Sequence, residues 1–110
     1  MKKTGVDREL DEFGRFAEPA VLILISLADG PKHGYAMTED IAEVAGERLG
    51  PGTLYGALAR LETRGFIEPL ESRDRRNPYR LTARGEKALR TRLAALETVT
   101  RIGQRRLARA

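Results

Sequence analysis

The segment from residue 50 to residue 65 constrains the possible folds of this chain more than any other. Gly50 followed by Pro51 predicts a helix start. The φ angle of proline suits the first turn, and the N–H that proline lacks would have no helical acceptor there. Gly65 predicts the end of this helix. Its apolar residues recur at helical spacing, at Leu54, Leu58 and Leu61. One stripe of the helix is therefore expected to be buried.

The remaining faces of this helix carry small residues, hydroxyls and cations, with Glu62 as the only acid. They include Thr53, Tyr55, Gly56, Ala57, Arg60, Thr63 and Arg64. Such a helix can enter the major groove of double-stranded DNA and offer hydroxyls, an aromatic ring and arginine to bases and phosphates. We interpret it as a recognition helix. The alternative is an ordinary surface helix with a solvated polar face.

Composition excludes most catalytic chemistry. The chain has 110 residues, of which 41% are hydrophobic, enough for one small domain with one core. It has no cysteine and a single histidine, His33, so neither a thiolate nor a histidine metal site is expected. No acid pair, activated nucleophile or phosphate-binding glycine loop is visible. We predict a protein that is not an enzyme and needs no metal or cofactor.

Charge is distributed unevenly along the chain. Residues 1–50 hold 6 Lys/Arg and 10 Asp/Glu, whereas residues 51–110 hold 14 and 6. The basic half begins at the proposed recognition helix, which favours a polyanionic partner. The longest apolar run, residues 20–27, is too short to cross a bilayer, and no apolar segment follows the N-terminal lysines. We expect a cytoplasmic protein without a membrane partner.

Two helices are predicted before residue 30. Residues 7–17 form a short amphipathic pattern with Leu10 and Phe13 on one side, which indicates an arm that packs on a partner subunit or remains frayed. Pro19 then opens a helix that is apolar on every face and ends near Asp29. A helix without a polar face belongs in the middle of a core.

Residues 36–45 are predicted to form the supporting helix of a helix-turn-helix. Met37, Ile41 and Val44 define its buried stripe, and its acidic outer face is unsuited to contact with phosphate. Lys32 and His33, just before it, are candidates to hold one phosphate, although a capping role for the histidine is equally open. Tyr35 is predicted to be a core residue.

Residues 66–82 contain a β-hairpin signal with a basic tip. Two short apolar runs flank a polar turn, and Pro69 restricts its strand to a sheet edge. The expected phosphate contacts of this wing are Arg73, Arg75, Arg76 and Arg80. The order helix, helix, basic hairpin is typical of a winged helix-turn-helix, a mainly α fold with a small β-hairpin.

Thr82 predicts the N-cap of a last long helix running from Ala83 toward Leu107. Its apolar stripe extends beyond any compact domain of this size, so its distal half is expected to pair with a second copy. The predicted dimer contacts are Leu10, Phe13, Leu89, Leu93, Leu96, Val99 and Ile102. The chain then divides into an N-terminal arm (1–18), a winged domain (19–82) and a dimerisation helix (83–110).

The chain also resembles the PadR family of bacterial transcriptional regulators. The matching segments, in family order, are residues 27–35, 50–62, 65–67 and 79–89. The resemblance implies a winged-helix repressor that forms a homodimer through its C-terminal helix, as in the compact branch of the family. It also implies a palindromic operator and, for several members, release by a small hydrophobic or aromatic effector. This chain lacks the tryptophan that some members use to stack on a planar drug.

Two roles for DNA contacts follow from this interpretation. Thr53, Tyr55, Gly56 and Arg60 are expected to set sequence preference, and the Lys32 and wing cations to supply affinity through phosphates. The alternative function is a winged-helix module that binds proteins without specific DNA binding, because a fold does not fix a function.

Overall fold

Five helices and one antiparallel hairpin make up the described part of the chain, residues 5–10, 17–72 and 77–110 of the computed structural model. In chain order they are α1 (Gly5–Leu10), α2 (Pro19–Ala28), α3 (Gly34–Ala45), α4 (Pro51–Thr63), β1 (Ile67–Pro69), β2 (Tyr79–Leu81) and α5 (Ala83–Arg109). This is the predicted winged helix-turn-helix. The predicted first helix (7–17) corresponds to α1 only in part, and residues 11–16, with Phe13, lie outside the described residues.

Helix α2 is the centre of the core, as its uniformly apolar sequence predicts. Pro19 occupies its first turn, and the helix packs against α3, α4, α5 and β2. Ile23 is fully buried and Leu22, Leu24 and Leu27 nearly so. Each such side chain stabilises the fold by about 1.5 to 3 kcal/mol on transfer from water.

Helix α3 buries a narrower face than predicted. It begins at Gly34 and ends before Gly46, whose positive φ of 69° suits glycine. Met37 and Ile41 are buried. Val44 and Tyr35, both predicted to be buried, are 60% and 70% exposed. The covered line of α3 runs through Met37, Ile41 and the partly buried Ala45, and Tyr35 and Val44 lie outside it.

Helix α4 begins and ends where the sequence predicts. Gly50 is its N-cap, Pro51 follows, and Gly65 with a φ of 74° lies just beyond its end. The buried side chains are Leu54, Ala57, Leu58 and Leu61. These share one face, which fixes the rotation of the helix about its axis.

The hairpin is small and is joined to the body. Ile67 pairs with Leu81 and Pro69 with Tyr79, and in this two-stranded sheet β1 is an edge strand, as predicted for a strand that contains proline. An isolated bridge links Tyr79 to Lys32, with mutual backbone hydrogen bonds of 3.0 and 3.1 Å. The wing is thereby tied to the turn that precedes α3.

Helix α5 packs on the body only through its first two turns, Ala83 to Leu89. The Thr82 hydroxyl accepts a hydrogen bond from the Gly85 amide at 3.0 Å, as predicted for an N-cap. Its 27 residues extend about 40 Å. Every residue after Leu89 is exposed. Among the described residues, no helix combines the length and apolar character needed to cross a membrane.

Candidate nucleic-acid interface

The face of α4 opposite its buried leucines carries only small side chains. At helical spacing these are Gly52, Gly56, Ala59 and Thr63. A Cβ atom added at Gly52 would have no neighbour within 4 Å, and one at Gly56 would meet only the Arg60 guanidinium at 3.7 Å. The packing of this chain therefore does not require either glycine. A glycine inside a helix costs about 1 kcal/mol relative to alanine, so the free protein gains nothing from these two.

Larger side chains flank this smooth face on both sides. Tyr55, 56% exposed, and Glu62 stand along one edge. Half-buried Thr53 and exposed Arg60 and Arg64 stand along the other. The arrangement leaves a shallow path along the helix between an aromatic side chain and two guanidinium groups. The structure thus brings together Thr53, Tyr55, Gly56, Arg60 and Arg64 on one exposed element.

Arg84 orients the end of α4 and was not identified from the sequence. Its Nε donates a hydrogen bond to the Arg64 carbonyl oxygen at 2.9 Å, and its guanidinium lies 5.3 Å from the centre of the Phe66 ring. A cation at a helix C-terminus is favoured by the unpaired carbonyl groups there. The residue lies 20 positions after Arg64, so helical spacing could not reveal the contact.

Lys32 is turned away from solvent, contrary to its predicted phosphate contact. Its ammonium group donates to the Ser26 carbonyl oxygen at 2.5 Å and lies 3.6 Å from Asp29 and 3.9 Å from Asp40. The side chain is only 16% exposed. Two carboxylates and a carbonyl oxygen therefore satisfy this charge, and Lys32 links the end of α2 to α3.

His33 lies beside the first turn of α3. It is the N-cap residue but makes no side-chain capping hydrogen bond. The ring is half-buried and its Nδ1 atom has no hydrogen-bond partner. The adjacent backbone N–H groups of the first turn remain candidates for phosphate contact.

Of the four predicted phosphate-binding arginines of the wing, Arg80 lies among the described residues. Arg80 forms an ion pair with Glu68 on the neighbouring strand, which reduces the charge it offers to phosphate. Arg73, Arg75 and Arg76 lie outside the described residues. Their phosphate contacts stay predictions.

The acidic face of α3 lies on a different element from the exposed face of α4. Glu39 pairs with Arg48, Asp40 with Lys32, and Glu43 is exposed. The hydrogen bond and the negative charge of Glu39 raise the pKa of Arg48. The supporting role of this helix stays a prediction.

A second exposed surface, the distal face of α5, is apolar. Its exposed side chains are Leu93 at 41%, Leu96 at 42%, Val99 at 68%, Ile102 at 40% and Leu107 at 77%. Leu89 was predicted to contact a second copy but is 5% exposed and belongs to the chain's own core. It faces the body because α5 still packs on α2 at that turn. Leu10 of α1 is 66% exposed.

Comparison with curated proteins finds relatives of unequal length. The chain is 51% identical over 75 residues to an uncharacterized 37.1 kDa protein in transposon TN4556 of Streptomyces fradiae. That match covers 68% of this chain but only 22% of the relative. It is also 39% identical over 83 residues to the transcriptional regulator Rv3488 of Mycobacterium tuberculosis, covering 72% of this chain and 76% of that protein.

Comparisons with solved structures and with protein-family models identify the same family. A PadR family transcription regulator from Clostridium difficile superposes with a TM-score of 0.74 at 25% identity, over 83% of this chain and 99% of that one. The model of the transcriptional regulator PadR-like family matches residues 23–91. This match spans more than half of the chain, which therefore belongs to the PadR-like family of transcriptional regulators.

Proposed function

We propose that this DNA-binding regulator is a homodimeric, cytoplasmic repressor that inserts α4 of each copy into the major groove of a palindromic operator. Two such helices about 34 Å apart match successive major grooves on one side of the duplex. Binding across a promoter would block transcription sterically. The chain divides accordingly into an arm (1–18), a winged domain (19–82) and a dimerisation helix (83–110).

The outer face of α4 is the observation that carries the proposal. Two glycines that the fold does not require, Gly52 and Gly56, let the helix backbone approach a partner surface closely. Tyr55 on one edge and Arg60 and Arg64 on the other can then reach base edges and phosphates. A solvated surface helix would gain stability from alanine at both glycine positions.

Replacing Gly56 with alanine tests this role directly. Gly56→Ala should raise the melting temperature, because helix propensity improves, and should weaken DNA binding roughly tenfold, because a methyl group enters the contact face. The matched control is Thr98→Ala, which also raises helix propensity, at an exposed position on the face of α5 opposite its apolar side chains. It should raise stability and leave DNA affinity unchanged. Unchanged DNA affinity in Gly56→Ala would contradict the proposal.

A groove beside α5 supports a further part of the proposal, release by a small hydrophobic effector. It encloses about 690 Å³ between α2, the end of α4 and the start of α5, with Val21, Leu24 and Phe66 among its lining residues. Ala88 also lines it, so Ala88→Phe should fill it. If a screen finds an aromatic compound that releases DNA, this variant should bind DNA and resist release. Release equal to that of the wild type would place the effector elsewhere.

A further inference from the structure

All three tyrosines of the chain line a single cavity at the base of the wing. The cavity has a volume of about 690 Å³ and lies between the start of α3, the side of α4 and the hairpin. Tyr35 comes from α3, Tyr55 from α4 and Tyr79 from β2. Its other lining residues are His33, Gly34, Glu62, Pro69 and Asn77.

The three aromatic side chains occupy different depths. Tyr79 is half-buried and is fixed by its backbone bridge to Lys32. The Tyr55 hydroxyl lies against Gly34, where an added Cβ would approach it to 2.8 Å. Tyr35 is 70% exposed, so it stands at the mouth. The cavity is therefore open to solvent, with the exposed Tyr35 and Tyr55 at its edge and the half-buried Tyr79 deeper.

Among the described residues that line this cavity the formal charge is negative, unlike that of the chain as a whole. Among the described lining residues, Glu62 is the only carboxylate and none is lysine or arginine. Burial raises the pKa of Tyr79, and the negative charge of Glu62 raises it further. The N-terminus of α3 opposes it with only about half a positive charge.

We propose that this cavity binds a small organic cation of the quaternary ammonium or protonated amine class. Aromatic faces attract such cations through their quadrupoles, and a nearby carboxylate adds direct attraction. Three tyrosines and one glutamate supply both terms, and the volume exceeds that of a trimethylammonium group. The cavity shares Tyr55 with the face of α4 assigned to DNA. A bound cation should therefore compete with DNA, a consequence that rests on the proposed function, whereas cation binding itself does not.

Proton NMR titration with choline tests cation binding in the absence of DNA. The ring resonances of the three tyrosines should shift saturably with choline and much less with 3,3-dimethylbutanol, its neutral isostere, at constant ionic strength. Glu62→Gln should weaken choline binding roughly fivefold. Glu43→Gln, which removes an exposed acid outside the cavity, should leave it unchanged.

Three outcomes would overturn the assignment. These are equal shifts with the neutral isostere, unchanged choline affinity in Glu62→Gln, or saturable shifts of the same resonances with inorganic phosphate and none with choline. A separate titration of a DNA duplex should show weaker protein binding in saturating choline at constant ionic strength. Unchanged DNA affinity in choline would rule out the competition with DNA but not cation binding. Failure of the protein to bind any duplex would contradict the proposed function and leave the choline result intact.

Discussion

Helices α4 and α5 each present one face to the core and one to solvent, but their exposed faces differ in chemistry. The exposed face of α4 consists of glycine, alanine and threonine between an aromatic edge and a cationic edge. The exposed face of distal α5 consists of leucine, valine and isoleucine. A smooth polar face suits close approach to a grooved polyanion, whereas an apolar face suits burial against another apolar face.

Under the proposed function, this difference assigns separate tasks to the two helices. If α5 joins two copies, it sets the distance between two α4 helices, and each α4 then contacts its own half-site. Variants in α5 should therefore alter assembly first and DNA binding as a consequence. Variants on α4 should alter DNA binding without altering assembly.

The largest effect is expected where α5 is still part of the core. Leu89→Ala should lower the free energy of unfolding by about 2 to 5 kcal/mol, because it leaves a cavity beside α2. Leu93→Ala, one turn further, should cost less than about 1 kcal/mol at concentrations where the protein is monomeric. Urea denaturation at low protein concentration measures both. Equal losses would show that the covered part of α5 extends past Leu89.

Assembly should respond next. Leu96→Glu should weaken the dimer roughly a hundredfold, because each copy would bury an unpaired carboxylate in the interface. Thr98→Glu, an equal charge change on the opposite face of α5, is the control and should leave the dimer intact. Sedimentation equilibrium gives both dissociation constants. Similar dimers for all three proteins would rule out the apolar face of α5 as the contact.

Substitution of Tyr55 should reduce the preference for the operator, whereas substitution of Arg64 should reduce the affinity for every duplex. Tyr55→Ala should lose about 1 to 3 kcal/mol of discrimination between an operator and a scrambled duplex. Arg64→Ala should weaken binding to both duplexes alike and reduce the salt dependence by about one counterion. Tyr55→Phe distinguishes the ring from the hydroxyl. Equal losses on every duplex from all three variants would refute this division of roles.

The smallest effect is expected at the exposed ion pair between Glu86 and Arg90. Its Arg90 Nη2 to Glu86 Oε1 distance is 2.7 Å, and the two side chains are 54% and 76% exposed. Arg90→Gln should lower the free energy of unfolding by only about 0.3 to 0.5 kcal/mol, and high salt should abolish the difference. Arg101→Gln, further along α5, is the control. A larger loss, or any loss of dimer, would mean that this pair belongs to an interface.

The sequence predicts helix boundaries well where proline and glycine mark them. Pro19, Pro51 and Gly46 act through their own backbone geometry, so their effect is local and visible in the sequence. The hairpin was also predictable, because two short apolar runs flank a polar turn in the sequence.

Contacts between distant segments were less predictable. The apolar stripe of α5 runs unbroken from Leu89 to Leu96, so its spacing cannot show where the body stops covering it. Lys32 was predicted to contact phosphate, but it pairs with Asp29 and Asp40. These pairings depend on how α2 packs against α3, which the sequence alone does not show. Val44 continues the period of Met37 and Ile41, yet it is 60% exposed, whereas the adjacent Ala45 packs on the core.

A titration of the purified protein against its own upstream DNA and a scrambled duplex, at two salt concentrations, tests the central claim most directly. The account predicts tighter binding to the upstream fragment, weakening steeply as salt rises because phosphate contacts release counterions. If the protein bound neither duplex at either salt concentration, the result would contradict a DNA-binding role. It would favour a winged-helix module that binds proteins.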